Sequence, residues 1–186
     1  MKKNLSVLAF SFLALVSFLG CNKNSSSKVI KVGATPRPHA ELLNLVKDDL
    51  KENGYDLQVV EFTDYVTPNK ALEDGEIDAN FFQHLPYMNS FNKEQGYHLF
   101  SASGIHIEPM AVYSKKVKSL EELKNGSTIA IPNDPTNEGR ALLLLQSAGL
   151  ITLDSNAGLE ATPVNIVNNP KNLKFSELEA ASVPRV

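Results

Sequence analysis

VIKVGATPRPHAELLNLVKDDLKENGYDLQVVEF, residues 29–62, reads as strand, helix, strand. Val29 to Ala34 is a short apolar run suited to a buried strand, and Pro36 and Pro38 end it. From Ala40 to Asn53, Leu42, Leu43, Val46 and Leu50 recur at helical spacing and form one apolar stripe. Gly54 stands where a helix C-cap falls, and Leu57 to Phe62 is the next strand. Two strands joined by a helix of this length pair in parallel.

The alternation continues downstream. Thr67-Pro68 supplies a capping residue and a proline for the first helical positions, and this helix stops at Gly75. Ile77 to Phe82 follows as a strand, then Pro86 to Gln95 as a helix closed by Gly96. Tyr97 to Ser114 is rich in apolar and β-branched residues, interrupted by Gly104 and Pro109. Ser119-Leu120-Glu121-Glu122 matches a capping box and predicts a short helix. Thr128 to Ile131 is a strand, and Asp134-Pro135 opens the strongest helix, which runs to about Gly149. Val164 to Val167 and Leu173 to Leu178 are weaker strands. Alternating strands and helices predict an α/β fold.

Upstream of residue 29 the sequence changes character. Lys2 and Lys3 precede an uncharged apolar run from Leu5 to Leu19, too short to remain as a membrane span. Residues 1–20 therefore read as a signal peptide. The chain's one cysteine, Cys21, closes the segment FLGC, residues 18–21, which resembles the lipobox of bacterial lipoproteins with Phe18 where leucine is commoner. Cys21 is the expected lipid attachment point, and two or three acyl chains at about 0.8 kcal/mol per buried CH₂ anchor a protein firmly. NKNSSSK, residues 22–28, suits a tether, so residues 21–28 are assigned to it. The net charge of the full chain is −3, and loss of Lys2 and Lys3 makes the remainder more acidic. That argues against nucleic acid as a partner, since phosphate binding needs clustered Lys and Arg.

Two segments place polar groups at the carboxyl end of a strand, where open α/β sheets bind ligands. The first is DANFFQHLPY, residues 78–87. Strand alternation sends Phe81 and Phe82 to opposite faces, so one of them lines a cleft. The same spacing also suits a core Phe pair with Gln83 and His84 satisfying helix-end groups. The second is IPNDPTNEGR, residues 131–140. With Asp134 as cap and Pro135 first in the helix, free N–H groups and a partial positive charge face the strand end. Helical side chains lean toward the N-terminus, so Arg140 reaches back over that spot, where its guanidinium offers a two-pronged clamp for a carboxylate. A surface Arg140 paired with Glu138 fits the spacing equally. Walker, zincin and nucleophile-elbow motifs are absent, as is paired metal-ligand spacing. His39, His98 and His106 read as structural or surface residues. No metal, no cofactor and no enzymatic activity are expected.

Residues 78–87 and 132–140, with FTDYVTPN, residues 62–69, and NPKNLK, residues 169–174, closely resemble signature segments of the NlpA/MetQ family. The resemblance covers essentially everything after the tether. It implies a lipid-anchored substrate-binding protein of an ABC importer, capturing an amino acid, above all methionine. The implied fold is a periplasmic-binding-protein-like (type II) clamshell, with lobe 1 at residues 29–107, lobe 2 at 108–186 and a crossing near His106 to Met110. It implies that Arg140 holds the ligand carboxylate with Asn133 nearby, and that Tyr65, Phe82 and His84 surround the side chain. Gln83, Tyr87 and Asn137 are expected behind them. A thioether packs well against aromatic faces, which agrees. The implied partners are methionine or a related amino acid, an ABC permease, and the membrane through the lipid. The expected location is the outside of the cytoplasmic membrane or elsewhere in the envelope, the outer membrane included.

Two departures stand out. Arg37 occupies a position where relatives commonly carry glycine. The sequence given also stops at Arg185-Val186, where relatives continue, so both lobes are expected to be incomplete at their C-terminal side and residues 21–186 to bind methionine poorly or not at all. The competing expectation is a surface lipoprotein with an interaction or structural role and little ligand binding.

Overall fold

The computed structural model describes residues 27–186. The signal peptide, Cys21 and tether residues 21–26 lie outside the described residues. Strand β1, Lys28–Ala34, begins inside the segment assigned to the tether, because the Lys28 N–H donates to the Gly54 carbonyl at 2.9 Å. Strand β2 is Tyr55–Glu61. It runs parallel to β1 in register from Lys28↔Tyr55 to Ala34↔Glu61, as the opening sequence predicts. Strand β3, Ala79–Phe81, pairs parallel to the other edge of β1, giving the order β2-β1-β3. It is shorter than the predicted 77–82. The centre of this sheet is tight: a Cβ on Gly33 would lie 2.6 Å from Ile77 and 2.8 Å from Phe62, so only glycine lets those side chains cross the strand.

The helix predicted over 40–53 is two helices, α1 at Glu41–Leu45 and α2 at Lys47–Glu52, broken at Val46. A helical stripe holds a helix straight only when it packs, and here Leu42, Leu45 and Val46 are exposed. Helix α3, Thr67–Glu73, has Val66 rather than Thr67 at its cap position, and Asp64 just before it takes up the first N–H groups. One Asp64 carboxylate oxygen accepts from the Val66 and Thr67 N–H groups at 2.8 and 2.7 Å, which holds that carboxyl below its ordinary value although burial opposes this. Helix α4, Leu85–Gln95, ends at Gly96 in the left-handed conformation, as predicted.

Residues 97–127 carry no helix or strand. The capping box at Ser119 does not start one. Glu122 accepts from the Lys118 N–H, while Lys171 donates from Nζ to the carbonyls of Leu120, Glu121 and Leu123 at 3.0–3.2 Å. The Leu120 carbonyl also accepts from the Leu123 N–H at 3.2 Å, so the chain makes a single turn there, held by a distant cation, and no helix.

Strand β4, Thr128–Pro132, pairs parallel to the last strand of the chain. Helix α5, Pro135–Ser147, has Asp134 as its cap: the Asp134 carboxylate accepts from the Asn137 N–H at 3.0 Å and from the Asn137 amide. Strands β5, Thr152–Leu153, and β6, Ile166–Asn168, form a small antiparallel pair. Strand β7, Lys174–Leu178, is the partner of β4. The second core gathers Ile131, Leu142, Leu145, Ile151, Leu153 and Leu173 between α5 and these strands. Leu142 is fully buried, a burial worth about 1.5–3 kcal/mol. No helix among the described residues is long and apolar enough to cross a membrane.

Candidate functional site

The turn after β3 carries Phe82, Gln83 and His84 into α4. Phe82 is buried and meets the Tyr65 ring at 5.7 Å and the Tyr87 ring at 6.0 Å between centroids. The Tyr87 hydroxyl donates to the Tyr65 carbonyl at 2.8 Å, which fixes both rings in one wall. Burial pushes the hydroxyls of Tyr65 and Tyr87 above the ordinary phenol value, so both stay protonated. Phe81 meets the His39 ring edge-on at 4.7 Å. Phe82 lies just past the end of β3, and the two phenylalanines have different neighbours yet line the same groove, where alternation predicted that one of them would.

His84 stacks on Tyr87, and its Nε2 is buried with no partner among the described residues. Burial first, then the Arg140 guanidinium, hold its imidazole below the ordinary value, and Asp134 opposes. A neutral imidazole in that position can donate to or accept from a ligand.

Gln83 does not face the rings. It exchanges two amide hydrogen bonds with Asn69 at 2.9 and 2.6 Å, and Asn80 donates to the same Asn69 oxygen at 2.8 Å. Asn69 is fully buried, so this closed amide network ties α3 to β3 and holds the aromatic wall from behind. Sequence reasoning placed Gln83 behind the site but missed Asn69, whose only signal is a polar residue on a helix face that must pack.

Arg140 comes from the second turn of α5. Its Nη1 donates to the Asn137 side-chain oxygen at 2.9 Å and its Nη2 to the Glu108 carbonyl at 3.0 Å. Asn137 is itself held by Asp134. Arg140 thus leans back toward the helix N-terminus as predicted, and it pairs with neither Glu138 nor bulk solvent. Glu138 is buried, and burial raises its carboxyl. Tyr65, Phe82, His84, Gln83, Tyr87, Asn137 and Arg140 all line one groove of about 2830 Å³. That is several times the size of a small-molecule site, so the aromatic wall and Arg140 form one station in a wider groove. Asn133 is exposed at the end of β4 and does not line it.

The arrangement joins an apolar aromatic wall, a neutral imidazole and a fixed guanidinium at a helix N-terminus. It can hold a small zwitterion by its carboxylate and pack its side chain against rings.

The NlpA lipoprotein family matches residues 30–186. The D-methionine-binding lipoprotein MetQ of Salmonella typhimurium strain LT2 is 47% identical over 177 residues, covering 94% of this chain and 65% of that protein. The MetQ of Escherichia coli strain K12 is 45% identical with the same coverage. The chain thus spans about two thirds of the length of these curated relatives. Among solved structures, a nutrient binding protein from Burkholderia cenocepacia bound to methionine superposes with TM-score 0.82 at 51% identity, covering 84% of this chain and 67% of that one. Lipoprotein Tp32 from Treponema pallidum gives 0.82 at 42%, covering 86% and 67%. The α/β fold is therefore the periplasmic-binding-protein-like (type II) fold expected from the sequence. With signature segments in order, the fold shared and the family matched over residues 30–186, this chain belongs to the NlpA lipoprotein family.

Proposed function

We propose that this chain is the capture component of an ABC importer for an amino acid, with methionine as ligand, held at the cell envelope by a lipid on Cys21. The sheets β2-β1-β3 and β4-β7 serve as its two lobes, joined near His106 to Met110. It binds and delivers rather than catalyses, and its partner is an ABC permease.

The observation that carries this reading is the Arg140 guanidinium, anchored on Asn137 and Glu108 in the same groove as Tyr65, Phe82 and His84. A methionine carboxylate meets the guanidinium, and its thioether lies on the rings, where sulfur–aromatic contacts contribute about 0.3–1.5 kcal/mol. The buried His84 Nε2 offers one further polar contact. The relatives' names support the class of ligand.

The test is a titration of the chain with L- and D-methionine followed by ¹H–¹⁵N NMR, which also reads weak binding. Shifts should concentrate at Tyr65, Phe82, His84 and Arg140, and glutamate and lysine should leave them in place. Arg140→Ala removes a charge-assisted hydrogen bond worth about 1.5–3 kcal/mol, roughly a ten- to hundredfold loss of affinity. Absence of shifts at these residues, or equal binding by Arg140→Ala, would reject the reading.

One observation favours a second reading, an interaction lipoprotein. Phe100, Ile107 and Tyr113 are each at least 84% exposed along the extended segment between the sheets. Under that reading the chain captures a protein partner and ignores free amino acids.

A further inference from the structure

We propose that His39, His106 and Glu108 form a binding site for a divalent transition cation of the zinc class. His39 Nε2 lies 3.4 Å and His106 Nε2 2.9 Å from the same Glu108 carboxylate oxygen. All three donor atoms fall within 4.8 Å of one another. Zinc holds imidazole nitrogens and carboxylate oxygens at about 2.0–2.2 Å, so small movements bring all three onto one ion.

The surroundings are built as metal sites are built. His39 is buried, with 6% relative exposure, yet its Nε2 lies 3.4 Å from the Glu108 carboxylate. Its other nitrogen, Nδ1, is 2.7 Å from the buried Thr35 hydroxyl. With Nδ1–H donating to that oxygen, the Nε2 lone pair is directed at the cluster, the outer-shell arrangement that orients ligating histidines. Phe81 packs edge-on against both imidazoles, at 4.7 Å from His39 and 5.6 Å from His106, which sets the planes of both rings. Arg140 holds the Glu108 main-chain carbonyl and leaves the carboxylate to the two histidines.

The donor set selects the ion. Two imidazoles and one carboxylate suit zinc and its neighbours, whereas calcium and magnesium require mostly oxygen. Three protein ligands leave a coordination position for water. His106 and Glu108 belong to the segment without helix or strand, so they can close on the ion while His39 stays fixed. By contrast, exposed His98 pairs with Glu73 at 3.1 Å and belongs to no three-donor group among the described residues, so it is the internal control.

The experiment uses the full chain with Cys21→Ser, which removes its one thiol, dialysed against a chelator and titrated with Zn²⁺ in competition with a chromophoric chelator. The expected result is one ion per chain at micromolar or tighter affinity. His106→Ala and Glu108→Gln, both at accessible side chains, should each weaken binding by about tenfold or more, with circular dichroism unchanged. His98→Ala should change it less than about twofold. X-ray absorption should report two imidazole nitrogens with oxygen, and millimolar Ca²⁺ or Mg²⁺ should not compete. Failure to bind zinc, or binding that survives His106→Ala and Glu108→Gln, overturns the proposal.

Discussion

Gly139→Ala puts a methyl group where the chain has no room. A Cβ at Gly139 would lie 1.9 Å from the Leu159 carbonyl oxygen, 2.7 Å from its carbon and 3.1 Å from the Ala161 nitrogen. Ordinary carbon–oxygen contacts need about 3.3 Å, so α5 and the 158–161 segment must part by roughly 1.4 Å. The obstacle is backbone, so no rotamer change relieves it, and Ala161 beyond it is fully buried. Overpacking costs about 1–3 kcal/mol, and the rigid neighbour puts this site at the upper end. Replacing glycine by alanine inside a helix returns about 1 kcal/mol. The net expectation is a loss of about 2 kcal/mol, a drop in Tm of roughly 4–8 °C for a chain of this size. Thermal and urea unfolding followed by far-UV circular dichroism measure it. Arg140 rides on the same helix, so the methionine-induced shifts should weaken in parallel. A gain of stability, as helix propensity alone dictates, would refute the close approach of α5 to Leu159.

Asn69→Ala strands the amides of Gln83 and Asn80 in a buried site and should cost about 1–3 kcal/mol in urea unfolding, with Phe82 fluorescence or NMR shifts reporting a loosened wall. Asp134→Ala removes the cap of α5 and the support of Asn137, and a loss of about 1 kcal/mol is expected by the same assay. Lys171→Met leaves the carbonyls of Leu120, Glu121 and Leu123 without their ammonium and should cost about 1.5–3 kcal/mol, with faster amide exchange over residues 118–124. His84 is held below its free value of 6.5, by burial and then by Arg140 against Asp134. The unfolded chain therefore binds its proton first as pH falls: the contribution to stability is full above about pH 6.5 and declines below it. His84→Gln should flatten that acid-side decline in denaturation midpoints measured between pH 7 and pH 5; an unchanged slope would exclude His84 as its source.

What the sequence made legible was local chemistry. Asp134-Pro135 specifies a cap and a first helical turn in adjacent residues, and the structure has both. The parallel β1–β2 pairing follows from apolar runs at each end of a helical segment, a pattern that no distant contact needs to complete. The failures are cases in which something outside the motif decides. Lys171 overrides the capping box at Ser119 from far along the chain. Asp64 takes up the first N–H groups of α3 in place of Thr67 because a carboxylate reaches two N–H groups where a hydroxyl reaches one. The apolar stripe from Leu42 to Leu50 reads as one helix, but stripes are only as continuous as the surface they pack on, and Leu45 and Val46 are exposed. His39 and His106 look unrelated in sequence, yet Phe81 stands between elements that bring both rings against it. Asn133 was expected at the ligand through family resemblance and stands exposed beside the groove.

The two hydrogen bonds that Arg140 makes to Asn137 and Glu108 have a consequence for speed and selectivity. A free arginine side chain carries about 2 kcal/mol of rotamer entropy, which an incoming anion would otherwise have to quench. Here the fork is immobilised before any ligand arrives, and of its five N–H donors those not already engaged keep a fixed direction. Under the proposed role, association would require no search by this cation, and discrimination among anions would be a matter of shape: a flat, bidentate acid fits the waiting prongs, whereas a spherical one must bend them. A lysine at position 140 would keep the charge and lose this flat fork, because an ammonium is a compact point charge on a flexible stem.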